Sequence, residues 1–198
     1  IKQPEQYYVG VDLAISTAER RAFTCYVVAG LAADHVLRIR NVIRKRIETD
    51  DIIEYFFALD SQLRQMAAQN VQPVFLVEKE NIAKALGPVL EAEMIRRDQY
   101  LIIELMPPIL DKRLRARSFQ ARTRVGMVHF DHEADWWPAY KHELLLFDKG
   151  RFADQVDASA WIGQYLADMD QTPTEEELED WEYDEEYEEA EYDWGTYD

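Results

Sequence analysis

The sequence predicts a mixed α/β fold: a five-stranded sheet of three antiparallel strands followed by parallel ones, with helices on both faces. Three observations lead there. The first fifty residues hold three runs rich in β-branched and aromatic residues, joined by short connections. Near residue 50 the apolar spacing changes to a helical period. Short apolar strands then alternate with helical stretches, the pattern of strand–helix units in a sheet covered on both sides.

The elements follow in order. Residues 7–14 (YYVGVDLA) and 22–31 (AFTCYVVAGL) read as strands, and 36–47 (VLRIRNVIRKRI) as a strand with one wet face, its even-numbered basic residues lining one side. Ile52, Phe56, Leu59, Leu63 and Met66 recur at helical spacing behind a cap at Thr49 or Asp50. A short buried strand covers 73–78 (PVFLVE). Ile82, Leu86, Leu90 and Met94 mark a second helix, which Gly87-Pro88 kinks or splits. Residues 100–105 (YLIIEL) form the next strand, stopped by Pro107-Pro108. A basic helix spans 112–124, and a turn at Gly126 leads to a short strand over 127–130. Residues 135–147 form a helix with Trp137, Tyr140 and Leu144 on one face. The last helix covers 154–169, with Val156, Ala160 and Leu166 among its apolar positions. One body ends near residue 170, and 171–198 is an acidic, aromatic-containing tail. There is no internal repeat.

Composition bounds the function. A chain of 198 residues, 47% hydrophobic, suits one domain with a full core. No apolar run reaches the ~20 residues of a membrane-spanning helix, so no membrane partner is expected. The first residues lack the basic start and apolar stretch of a signal peptide. There is no initiator Met, as expected of a processed or excised chain. Cys25 is the single cysteine, which excludes an internal disulfide and fits a reducing cytoplasm. The net charge of −17 is unevenly spread: 14 of the 39 acidic residues lie in 175–198, where there is no Lys or Arg. The remainder sets 25 acidic residues against 22 basic ones. Such a body can still present a basic patch to nucleic acid.

The acidic residues carry the chemistry. Asp12 interrupts the apolar strand of Val9, Val11 and Leu13, where a carboxylate is costly unless paired, hydrogen-bonded or metal-bound. Glu78 ends the run Val74-Phe75-Leu76-Val77 and shares a face with Val74 and Leu76. Parallel, adjacent strands would bring both acids to one carboxyl edge, where open α/β sheets build their sites. Asp154 and Asp157 share a face at the start of the last helix, where a carboxylate serves either as a cap or as a ligand. Converging carboxylates repel one another without cations. Their hard oxygens favour Mg²⁺ or Mn²⁺, and two such ions about 3.5–4 Å apart clamp a phosphodiester.

The ordered pieces YYVGVDLAIS, VFLVEKEN, RARSFQARTRVGMVHF and ELLLFDKGRFADQVDASAW resemble the nuclease domain of the large terminase subunit of tailed bacteriophages, across most of residues 7–165. The last piece is the most specific, with Asp-x-x-Asp-Ala after a Gly-containing loop. The resemblance implies a ribonuclease-H-like fold and two-metal cleavage of concatemeric double-stranded viral DNA during genome packaging, in the host cytoplasm at the procapsid portal. It makes Asp12, Glu78 and Asp154 the catalytic metal ligands, and Asp157 a further ligand or a supporting residue. It also implies a portal protein and a small terminase subunit as partners, with an ATPase domain normally on the same chain. This chain has no G-x-x-x-x-G-K-[ST] loop, so it reads as the nuclease half. Two departures stand out. The family often has His-Asp-Asp where this chain has Phe152-Ala153-Asp154, and it often has a second Asp near Ala22.

Lys112, Arg113, Arg115, Arg117, Arg122 and Arg124 lie in thirteen residues without an acid, and are the expected DNA-binding set. Arg38, Arg40, Arg44, Lys45 and Arg46 form a second basic stretch. Lys79 and Lys84 are further cations near Glu78. His129 and His132 have a metal-like spacing, but no cysteine accompanies them, and a surface or packing role is expected. The tail reads as a solubilising segment, a portal-docking segment or an acidic mimic of DNA. Two other functions fit the same residues: a junction-resolving nuclease, and an inactive assembly module docking the portal.

Overall fold

A computed structural model describes residues 5–14, 23–67, 71–80, 86–107, 111–150 and 152–169. Lys84, Ala22 and the tail at 171–198 lie outside the described residues. The strands are β1 (Glu5–Asp12), β2 (Thr24–Ala32), β3 (Leu37–Lys45), β4 (Val74–Glu78), β5 (Ile102–Met106) and β6 (Val128–Phe130). The principal helices are α1 (Thr49–Met66), α2 (Gly87–Arg97), α3 (Lys112–Arg124), α4 (Trp137–Leu145) and α5 (Asp154–Met169).

The strands form one mixed sheet in the order β5-β4-β1-β2-β3-β6. β1, β2 and β3 pair antiparallel, β4 joins β1 in parallel, and β5 joins β4 in parallel. The mixed sheet with helices on both faces is as expected, but the strand number is six, not five. The short strand after Gly126 pairs in parallel with β3 at the far edge. Gly126 supplies the required turn with a positive φ of 77°.

Strand alternation sorts the sheet into two cores. Tyr7, Val9, Val11, Tyr26, Phe75 and Val77 face Ile52, Phe56, Leu63 and Leu90 of α1 and α2. Tyr8, Cys25, Val27, Leu76 and Met106 face Phe119, Tyr140, Ala158, Trp161 and Ile162 of α3, α4 and α5. α5 is buried from Gln155 to Gly163 because it lies between sheet and helix. Two glycines permit this. A Cβ at Gly10 would overlap the carbonyl oxygen of Ala158, and one at Gly163 would lie 2.5 Å from the backbone nitrogen of Phe119.

Several local expectations change. The N-cap of α1 is Glu48, whose side chain makes no capping bond, rather than Thr49 or Asp50. α2 starts at Gly87, with Pro88 in its first turn, where the missing N–H costs nothing. Its C-cap, Asp98, adopts the left-handed conformation at φ 49°. The even-numbered arginines of β3 do not share one face. A bulge opposite Val28 and Ala29 skips Arg40 in the ladder and shifts the alternation. Arg40 pairs with Glu5, whereas Val42 joins the core beneath α5 and Arg44 follows on that face.

Candidate metal centre

The carboxyl end of β1 sets the site. Val11 stands opposite Val77, so Asp12 and Glu78 are the next step of the same parallel register. Leu76 belongs to the core beneath α5, which puts Glu78 on that face too. Asp12 lies opposite Cys25, Cys25 opposite Arg44, and Glu78 opposite Met106. A row of side chains therefore crosses the sheet on one face: Met106, Glu78, Asp12, Cys25, Arg44.

α5 brings the remaining acids to this row. Its close approach to β1 at Gly10 places its first turn beside Asp12. The pKa of Asp12 is pushed up to about 8, first by desolvation and then by the charges of Asp157 and Asp154, with Arg115 and Lys112 opposing. Asp12 keeps part of its surface accessible even though protein crowds it on most sides. Beside it on β2 the Cys25 thiol is fully buried and pushed well above its ordinary value, by burial and then by Asp12.

The two helix acids differ. Asp157 is buried and accepts hydrogen bonds from Lys112 Nζ at 2.9 Å and from Arg115 at 2.6 Å. Asp154 is half-buried and accepts two bonds from Arg44, at 3.1 and 2.9 Å, both on Oδ2. Asp154 does not cap its helix. That role falls to Glu143 of α4, which accepts from the backbone nitrogens of Gln155 at 2.6 Å and Val156 at 3.2 Å. Glu143 also takes the Gln155 side-chain amide at 2.7 Å and lies 4.0 Å from the Arg44 guanidinium. Glu143 and Arg44 were not singled out by sequence reasoning. A buried Glu in an amphipathic helix carries no local signal of the helix end it will meet, and Arg44 was one of five basic residues in its strand.

The donors in this corner are carboxylate oxygens, the chemistry that Mg²⁺ and Mn²⁺ take. Desolvation first, and then the charges of Asp157 and Asp154, raise Asp12, and a cation beside it would offset both. The residues therefore fit a divalent ion in donor type and charge. Among the described residues, however, no group of three or more His, Cys, Asp or Glu side chains stands close enough together to hold a metal ion. Arg44, Lys112 and Arg115 hold the helix acids in this arrangement.

The expected DNA-binding residues lie along α3. Asp111 caps this helix through the backbone nitrogens of Arg113 and Leu114. Lys112 bonds Asp157, and the Arg113 Nε bonds Asp148 at 2.6 Å. Arg115 is buried against the Trp161 ring, 4.8 Å from its centroid, and is not presented to solvent. Arg117 and Arg124 are exposed, and Arg122 donates to the backbone of His35. Lys79 is exposed beyond Glu78. His129 and His132 are not brought together with other ligands; both are exposed, and His132 stacks on Trp137 at 4.7 Å.

Two solved structures are similar to this chain in fold. The human cytomegalovirus terminase nuclease domain, Mn-soaked and inhibitor-bound, superposes with a TM-score of 0.56 at 15% identity over 83% of each chain. A second structure of that domain gives 0.57 at 14% over 82% of each. The fold is similar to that of these terminase nuclease domains. The mixed sheet with helices on both faces agrees with the fold class expected from the sequence. The large terminase nuclease of the thermophilic phage G20c, with bound zinc, gives 0.46 at 13%, over 80% of this chain and 78% of that one. No protein-family model and no curated protein matches the sequence. Among the described residues no helix is long and apolar enough to cross a membrane.

Proposed function

We propose that this chain is a divalent-ion-dependent endonuclease that cuts double-stranded concatemeric viral DNA during genome packaging. The observation that supports this reading is the parallel register of β1 and β4, whose last pair, Val11 and Val77, is followed in each strand by a carboxylate, Asp12 and Glu78, with the charges of Asp154 and Asp157 acting on Asp12. Asp12, Glu78 and Asp154 would hold Mg²⁺ or Mn²⁺. Asp157 would act chiefly as their support, since Lys112 and Arg115 already hold it. A bound divalent ion supplies Lewis acidity to the phosphodiester and lowers the pKa of water at the site. The related viral nuclease was soaked with Mn, which favours the same ion here.

Lys112, Arg113, Arg117, Arg122 and Arg124 would grip phosphates without reading bases, so binding should weaken with salt. Arg115 acts from the interior, by fixing Asp157. The portal protein, the small terminase subunit and an ATPase domain on a longer chain are the corresponding partners, and the host cytoplasm at the procapsid portal is the place of action.

The test is cleavage of linear double-stranded DNA by the full chain in Mn²⁺, with Asp12→Ala as the comparison. Wild-type cleavage that the variant loses, while remaining folded, supports the assignment. Undiminished cleavage by the folded variant rejects it. Preference for branched over linear DNA would instead identify a junction-resolving enzyme.

A further inference from the structure

We propose that a cavity at the amino ends of β4 and β5 binds a small organic cation that carries a primary ammonium group. The length of β4, roughly 15 Å, separates this end of the sheet from the carboxyl end that carries Glu78. The inference is independent of the nuclease reading above.

The cavity has a volume of about 280 Å³ and opens to solvent. That is close to the lower end of small-molecule sites, about 300 Å³. Asp60 and Arg64 of α1, Gln72 ahead of β4, and Asp98 and Gln99 between α2 and β5 line it. Asp60 is the unusual residue. Its side chain is fully buried, which is costly for a carboxylate unless its oxygens are paired. Only Oδ2 is: it accepts from Arg64 Nε at 2.8 Å and from Gln99 Nε2 at 2.7 Å. Oδ1 has no hydrogen-bond partner among the described residues. Buried acceptors left in this state are rare in folded proteins.

The two partners of Asp60 differ in freedom. Gln99 is tied further to the Phe57 carbonyl at 3.2 Å and to the Ser61 hydroxyl at 3.1 Å. Arg64 has one other bond, to the Tyr100 carbonyl at 2.7 Å, and a third of its side chain is exposed. Turning Arg64 outward opens Asp60 to the cavity. The lining then sets two carboxylates, Asp60 and Asp98, against one guanidinium. That balance favours a monocation over an anion. The unpartnered oxygen favours a cation with N–H donors, because a charge-assisted hydrogen bond is the contact it lacks.

The experiment is a nuclear magnetic resonance titration of the isotope-labelled full chain, at constant ionic strength, read at the side-chain N–H signals of Gln99 and Arg64. The probes are n-butylammonium, tetramethylammonium and acetate. Wild type, Asp60→Asn and Asp98→Asn are compared, with folding followed by circular dichroism. Saturable shifts of both signals with n-butylammonium support the proposal. Tetramethylammonium has the charge without the donor and should bind more weakly by about tenfold or more, and Asp60→Asn should weaken n-butylammonium by a similar factor. No saturable shift at either side chain on wild type overturns the proposal. So does equal affinity for tetramethylammonium, tighter binding of acetate, or unchanged binding to a folded Asp60→Asn. If Asp60→Asn does not fold, Asp98→Asn decides, since Asn also tolerates the left-handed backbone there. Affinity for n-butylammonium lower by roughly twofold or more supports the proposal, and unchanged affinity overturns it.

Discussion

A buried ion pair is stable only while both partners remain, and Asp157 shows why the corner holds its shape. Lys112 reaches it from the surface and Arg115 from within. Removing the charge with Asp157→Asn leaves the buried Arg115 guanidinium without its anion, which typically costs about 3–5 kcal/mol. Urea unfolding of the ion-free chain should show that loss; an unchanged midpoint would mean that Arg115 finds another partner. The roles of these residues were only partly legible beforehand. Asp12 and Glu78 stood out because each carboxylate breaks an apolar strand, and period-two alternation fixed their faces. The burial of Arg115 was hidden, because a cation on a basic helix gives no sign that a distant carboxylate will draw it inward.

At the scale of elements, α5 decides whether the acids meet. It touches the sheet where β1 has no side chain, at Gly10, and touches α3 at its own Gly163. Gly10→Ala forces a methyl group against the Ala158 carbonyl, and overpacking of this kind costs roughly 1–3 kcal/mol. The variant should melt at lower temperature, and because α5 is pushed from Asp12 it should also bind Mn²⁺ more weakly. Equal melting and equal Mn²⁺ affinity would show that the close contact is not needed. Periodicity located both ends of α5, and the bounds of α3 as well. The bulge in β3 escaped notice because alternating apolar and basic residues read the same with or without an inserted residue. The sixth strand was read as a segment, but its place in the sheet was not, since three residues carry too little pattern to name a partner. The sequence leaves Asp154 open between cap and ligand, because local sequence points to near neighbours, whereas Glu143 reaches the helix start from another helix.

For the whole molecule, charge is arranged in two ways. Around the carboxylates of Asp154 and Asp157 it is buried and paired through distant chain segments. On the outer surface it also forms short-range pairs: Arg38 holds Asp34, and Arg96 and Arg97 hold Glu93. Hydrogen bonds from Arg38 lower the Asp34 carboxyl to about 2, and those from Arg96 and Arg97 lower Glu93 to about 2. Between the ordinary values of 3.8 and 4.5 and these lowered ones, the unfolded chain binds more protons than the folded chain. The stabilisation is therefore present above the ordinary carboxylate range and lost as pH falls through about 2. Both sites are solvent-exposed, so salt screens them. The melting temperature should decline across this window, more steeply at low ionic strength. Independence of pH there would mean that the pairs persist in the unfolded chain.

The central claim is that the sheet edge at Asp12 and Glu78, completed by Asp154, holds a divalent ion. A crystal of the chain soaked in Mn²⁺ tests it most directly through anomalous scattering. The expected result is a peak coordinated by Asp12 and Glu78, with Asp154 completing the set. No peak in this corner at millimolar Mn²⁺, or one bound only elsewhere, would contradict it.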